Sequence, residues 1–319
     1  MSTQPEAADA QALPDGQRIA LSPDIDSQIS FAFHTATSNS EGRNSRAILN
    51  QINLNRTHPS RDANMKVMSM TRHTTRTHGR HGRKIQSNLR AAPIADPENP
   101  YRVQRSHLEK IELGKSSSSC KVSFVTRLHR NEVLQEFWCA SWEEACVYQN
   151  LAGHPDVVNF KEQLTRVDYV NGSGRDTHTT VDAHVLLRDG SEVLVSVKYD
   201  EKSKRKSYLA EVEGIAAQCS SEVADRFTVA SRYAFHPVFR ECARKINSIR
   251  RGWDPDADRQ VLETALRLGT TFTFKELVDT SGLFARGYRS AVRLLGDGDL
   301  RKDLLAPFAP DTICWRDSA

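Results

Sequence analysis

The sequence predicts an α/β chain in which a mixed sheet flanked by helices precedes a smaller helical unit with a wing. Three observations lead there. Short apolar runs of period two alternate with stretches of helical period, in the order helix, antiparallel strands, helix, strand, helix. Two glycine turns, Gly172-Ser173-Gly174 and Arg188-Asp189-Gly190, join the central strands as a meander. Trp253-Asp254-Pro255-Asp256 then reads as a joint, because proline and aspartate end one helix and start the next. A length of 319 residues suits about two domains at roughly 150 residues each.

Composition narrows the class. The 44 Lys and Arg residues against 40 Asp and Glu give a formal charge of +4, and 38% hydrophobic with 26% charged residues is a globular balance, not a disordered or fibrous one. No apolar run approaches the ~18 to 20 residues of a bilayer span, so no membrane partner is expected. The opening MSTQPEAADAQALPDG is polar and acidic with no apolar core, which predicts a cytoplasmic, nucleoid-associated address. Cys120, Cys139, Cys146, Cys219, Cys242 and Cys314 show no CxxC spacing, which argues against a zinc site or a disulfide framework. The phosphate loop GxxxxGK[ST] and the zinc-protease signature HExxH are both missing.

Residues 1–105 read as a mostly disordered arm, rich in Ser, Thr, Asn, Arg and His and without sustained periodicity. Between Ala63 and Ala95 there is no Asp or Glu, while Lys66, Arg72, Arg76, Arg80, Arg83, Lys84 and Arg90 accumulate, a pattern suited to phosphate contacts or to a solvated tail. Order is expected to begin near Leu108, with strands over 121–128 and 131–138 separated by His129-Arg130. Ser141-Trp142-Glu143-Glu144 opens a helix as a capping box, with Tyr148 and Leu151 on the face of Glu144, and Gly153-His154-Pro155 stops it. Strands are predicted over 157–163, 165–170, 179–187 and 192–199, then a helix over 207–219, a strand over 226–232 and a helix over 237–250. Beyond the joint, helices over 258–268, 274–279 and 285–295 with the Thr280-Ser281-Gly282 turn describe a helix-turn-helix, and 299–305 with 312–315 would form the wing. Its last helix carries Arg286, Tyr288, Arg289 and Arg293, types suited to phosphate or base-edge contacts; a module serving only protein contacts is the competing reading.

The chemistry concentrates in the middle unit. Along Val193–Lys198 the valines alternate with Leu194, Ser196 and Lys198, so Ser196 and Lys198 share one face, and Asp182 heads the neighbouring antiparallel strand. A lysine ending an apolar strand commonly snorkels to solvent. An acidic residue one hairpin earlier and Glu144 on the preceding helix favour a site. Phosphodiester hydrolysis needs oxygen ligands for Mg²⁺ or Mn²⁺ beside the scissile phosphate and a compact cation to orient water, and Asp182, Glu144 and Lys198 supply these types. Glu143 competes with Glu144 for the helix carboxylate. His178 and His184 flank Asp182; surface or structural roles are the favoured reading of each, and contact of one of them with substrate is the alternative.

Ser141-x-x-Glu144, Val157-Val158-Asn159-Phe160-Lys161-Glu162-Gln163, Val181-Asp182, Asp189-Gly190 and Ser196-Val197-Lys198, in that order, resemble the TnsA-type endonucleases of heteromeric transposases, within the restriction-endonuclease-like PD-(D/E)XK nucleases. The resemblance runs from about Trp138 to Arg250 and extends more loosely through the C-terminal unit. It implies a nuclease domain over 106–252 and a winged-helix-like domain over 253–319. It also implies catalytic Glu144, Asp182 and Lys198, with metal held by Glu144, Asp182 and the position of Ser196. Ser196 departs from that pattern, since most members of the superfamily carry Glu or Asp there and some Gln. Val181 likewise stands where a proline usually precedes the aspartate. The implied activity is Mg²⁺-dependent cleavage of the transposon-end DNA strand that the partner transposase leaves uncut. The implied partners are DNA, a DDE-type transposase and an ATP-dependent transposition regulator. Lys204, Arg205 and Lys206, just after the catalytic strand, would grip the DNA backbone or lie in a solvated loop. The neutral Ser196 leaves a second reading open, a catalytically weakened nuclease fold serving as a DNA-binding or regulatory subunit.

Overall fold

The computed structural model describes residues 66–68, 89–106, 120–219 and 223–316. Most of the predicted arm lies outside the described residues. The part that is described is ordered, which moves the onset of structure upstream of Leu108. Strand β1 (Lys66–Met68) pairs antiparallel with β10 (Arg226–Ala230). Leu89, Ala92 and Ala95 are buried, and backbone bonds from Val133 N to Pro93 O (2.9 Å) and from Ala95 N to Asn131 O (2.8 Å) fasten this segment to the domain. Its few small apolar residues carry no period, so sequence patterning had nothing to register there.

The main sheet has the order β1-β10-β9-β8-β5, built with β5 (Val157–Glu162), β8 (Ala183–Leu187) and β9 (Glu192–Val197). Its β10-β9 pair is parallel and its other pairs are antiparallel. The two faces of β9 divide as its alternation requires. Val193, Val195 and Val197 enter a core with α1 (Trp142–Ala152) and α4 (Pro237–Arg250). Leu194 enters a second core with Val212, Ile215 and Ala216 of α3 (Lys206–Gln218). Helices therefore cover both faces, a mixed α/β architecture. A smaller sheet of β2 (Val103–Arg105), β4 (Leu134–Cys139) and β3 (Val122–Thr126) packs beside it through Phe124, Phe137 and Phe160, stacked at 5.3 and 4.6 Å between ring centroids.

One departure shapes the site. The single strand expected over 179–187 is two. Strand β7 (Asp176–Thr180) forms an outlying ribbon with β6 (Arg166–Val170), and the chain then crosses into β8 of the main sheet. At the crossing Val181 is buried and its N–H donates to Thr165 O at 2.8 Å, so Asp182 sits between the two sheets. The charged stretch after β9 contains a short helix, α2 (Asp200–Ser203), that composition did not reveal.

Beyond the joint, α5 (Pro255–Leu268), α6 (Phe274–Ser281) and α7 (Ala285–Asp297) pack around Val261, Leu277, Ala291 and Leu294. Thr273 and Glu276 cap α6 reciprocally, and Gly282, at φ 68°, supplies the left-handed turn before α7. The expected wing strands form as β12 (Arg301–Lys302) and β13 (Ile313–Trp315), and β11 (Thr271–Thr273) adds an edge that the sequence did not announce. Ile246 of α4 belongs to this core, and Trp253 packs on Ala92, Ala95 and Val133, so the joint is sealed by packing.

Candidate functional site

Glu144 is placed by the start of α1. Ser141, extended at φ −150° and ψ 162°, accepts from the Glu144 amide at 3.2 Å and donates its hydroxyl to Glu144 Oε1 at 3.1 Å. Glu144 Oε2 accepts from the Ala140 amide at 2.9 Å, in place of the Ser141 amide that a reciprocal capping box would use, and from Gln163 Nε2 at 3.0 Å. The side chain is buried, and that burial raises its carboxyl above the ordinary range; the Ala140 hydrogen bond opposes the rise and the nearby Asp182 charge adds to it. Glu143 points elsewhere, pairing with Arg232 Nε at 3.3 Å, whereas Glu144 is the one bonded to Gln163.

Asp182 stands immediately before β8, and Lys198 immediately after β9. Asp182 Oδ2 accepts from the Val197 amide at 2.6 Å, from Ser196 Oγ at 3.2 Å and from Lys198 Nζ at 3.2 Å. Lys198 Nζ also donates to Val197 O at 2.9 Å. Burial is the largest single influence and depresses this ammonium, but the Asp182 charge and hydrogen bond together with Tyr208 and Glu144 outweigh it, and the group is held above its ordinary value. Asp182 and Lys198 are thus in direct contact, and Glu144 is joined to the Asp182 segment through Gln163.

Three supporting residues escaped the sequence reading of roles. Gln163, at a left-handed φ of 49°, bonds Glu144 with its side chain and the Asp182 carbonyl with its N–H at 3.1 Å, linking the two carboxylate-bearing segments. Its position in Phe160-x-x-Gln163 was the available signal. Tyr148, fully buried one turn after Glu144, donates its hydroxyl to the Asp182 carbonyl. Tyr208 meets Ser196 Oγ at 2.9 Å from α3, the helix that covers this face of the sheet, a long-range contact that no local pattern marks.

The predicted DNA contacts separate. Arg205 and Lys206 are exposed at the start of α3, while Lys204 is tied to Asp200 at 2.6 Å. Arg289 is exposed, and Arg286 forks onto Asp254 at 2.9 and 2.8 Å. Arg293 is corrected outright. At 2% exposure it is locked on Asp258, with Nη2–Oδ1 at 2.6 Å, and serves the core of its own unit rather than DNA. His184 takes the structural role: it is buried against Thr165 (Nδ1 to Oγ1, 2.7 Å) and Glu192 rather than offered to substrate.

A second group of ligand types lies at the joint. His129, Asp297 and Asp299 present donor atoms within 4.8 Å of one another, the spacing a divalent ion requires. Arginines already occupy this group. Arg130 Nη1 is 2.8 Å from Asp297 Oδ2 and also contacts Asp299, and Arg250 Nε is 2.9 Å from Asp297 Oδ1. A metal would have to displace guanidinium charge there, whereas the Glu144 and Asp182 carboxylates face one ammonium.

Among the described residues, no helix is long and apolar enough to cross a membrane. No protein-family model matches the chain, and no curated protein does at the similarity sought, so the meaning of the site is carried by its geometry.

Proposed function

We propose that this chain is a divalent-metal-dependent DNA endonuclease of the TnsA type, with a restriction-endonuclease-like domain over 106–252 and a winged-helix-like domain over 253–319. In this reading it is a cytoplasmic, nucleoid-associated subunit of a heteromeric transposase, working with a DDE-type transposase and an ATP-dependent regulator at transposon ends. The observation that carries this is the convergence of Glu144, Asp182 and Lys198 from three separate elements, linked by Gln163.

The donor set suits a hard cation. Every candidate ligand is oxygen, two are carboxylates, and Asp182 receives its three hydrogen bonds on Oδ2, leaving Oδ1 without a partner among the described residues. Mg²⁺ or Mn²⁺ held by Glu144 and Asp182, with the Ser196 hydroxyl alongside, would offset charge on the scissile phosphate and make water a better nucleophile. Such a cation also favours the ionised form of Glu144, which burial opposes. Lys198, with its proton held tightly, acts as a fixed positive charge that orients water and phosphate rather than as a base.

Purified protein, alone and with its transposase, is incubated with transposon-end DNA and Mg²⁺ or Mn²⁺. The expected result is cutting that needs the metal and is lost in Asp182→Ala and Lys198→Ala; cutting that survives both substitutions rejects this site. The neutral Ser196, hydrogen-bonded to Tyr208 where the resembled family carries a stronger ligand, favours a second reading as a DNA-binding subunit without catalysis. DNA binding with no Mg²⁺ or Mn²⁺ effect on cleavage or melting is its signature.

A further inference from the structure

Beside this site is a cationic group that the nuclease assignment does not use. Strand β10 ends at Ala230, whose carbonyl accepts the Lys198 N–H at 2.9 Å, and Ser231-Arg232-Tyr233 follows directly. The Arg232 guanidinium lies over the Tyr233 ring at 4.7 Å from its centroid, and that of Arg240, on α4, approaches the same ring at 5.8 Å. Glu143, the neighbour of Glu144, accepts from the Arg232 amide at 3.0 Å and pairs with Arg232 Nε at 3.3 Å. Arg240 has no carboxylate partner among the described residues, and its Nε is buried without a hydrogen-bond partner. Of the two guanidiniums only that of Arg232 is paired with a carboxylate, which leaves a net positive charge next to the helix of Glu144 and the strand end beside Lys198. Both guanidiniums lie within cation–π distance of this half-buried ring, which draws them to it before any ligand arrives. A preset fork of N–H donors matches the oxygens of a phosphodiester.

We propose that Arg232 and Arg240, splinted on Tyr233, clamp a backbone phosphate of the DNA strand that enters the Asp182 site. This deepens the nuclease reading and rests on it for the identity of the ligand. A clamp of this kind contributes affinity and register without reading sequence, and its contribution weakens with salt.

The test is equilibrium binding of the full chain to a fluorescent duplex in EDTA, between about 50 and 200 mM salt. Arg240→Ala and Tyr233→Ala are expected to weaken binding about tenfold and to lower the slope of log affinity against log salt by about 1. Tyr233→Phe keeps the ring and should keep both affinity and slope. Arg259→Ala, an exposed residue paired with Asp256 on α5, serves as the unaffected control. Wild-type affinity and slope in Arg240→Ala overturn the clamp, as does Tyr233→Phe falling as far as Tyr233→Ala, or a wild-type chain that binds no duplex. Cutting that persists in Asp182→Ala rejects the nuclease site separately, since that variant retains Arg232, Tyr233 and Arg240.

Discussion

At the residue scale the site is a problem of sharing one carboxylate oxygen. Asp182 Oδ2 receives an amide, a hydroxyl and an ammonium, while Tyr148 and Gln163 hold the carbonyl of the same residue. The residue is thus held through both its side chain and its backbone, as positioning a ligand requires. Asp182→Asn keeps the shape and removes the charge, so cleavage should fall by at least about 100-fold with little loss of melting temperature. Lys198 tests what its charge does. If the ammonium is a fixed cation, Lys198→Arg retains more cutting than Lys198→Gln across the neutral pH range. Equal loss in both would assign the proton itself to the chemistry.

At the element scale, α1 carries Glu144 and Tyr148, and its contact with α4 is tight. A Cβ at Gly153, the residue that stops α1, would come within 2.6 Å of both Cα and Cβ of Ala243 on α4. Backbone has to move to admit it, so Gly153→Ala should cost about 1 to 3 kcal/mol in urea unfolding. Unchanged stability would show that the two helices can separate freely. Most of these elements were legible because each had a local signature: the cap at Ser141, the valine alternation of β9, proline at the start of α4 and α5, and glycine after α6. The contact of Lys198 with Asp182 was legible for the same reason, since a strand end and a strand head on neighbouring strands have definite places. What could not be read depended on distant partners. The break at Val181-Asp182 arises because Thr165 takes the Val181 amide, Tyr208 reaches Ser196 from another element, and Arg293 looked like a free cation until Asp258 was beside it.

At the scale of the whole molecule, the joint is a charged and buried seam rather than a hinge. Arg188 Nη2 donates to Pro155 O at 2.9 Å and to the Asp297 carbonyl, Arg301 pairs with Asp156 at 2.8 Å, and Arg130 and Arg250 converge on Asp297. Within this seam Glu132, 4% exposed, accepts from the His129 amide at 3.2 Å. Burial pushes its carboxyl up to about 7, against the His129 amide and the charge of Arg250. A carboxyl raised on folding keeps its proton longer in the native state than in the unfolded chain, so its ionisation costs stability as pH rises from its ordinary 4.5 through about 7. His129 contributes the opposite slope, because burial lowers its pKa, with Asp297 opposing the shift, and stability rises as the unfolded imidazole loses its proton. Comparing Glu132→Gln with the wild type cancels the His129 contribution. The two proteins should be similar in stability near pH 5, and near pH 8 the variant should be the more stable by up to about 3 kcal/mol. Urea unfolding at both pH values measures this, and a stability difference that does not change with pH would mean that Glu132 ionises in the seam as easily as in the unfolded chain.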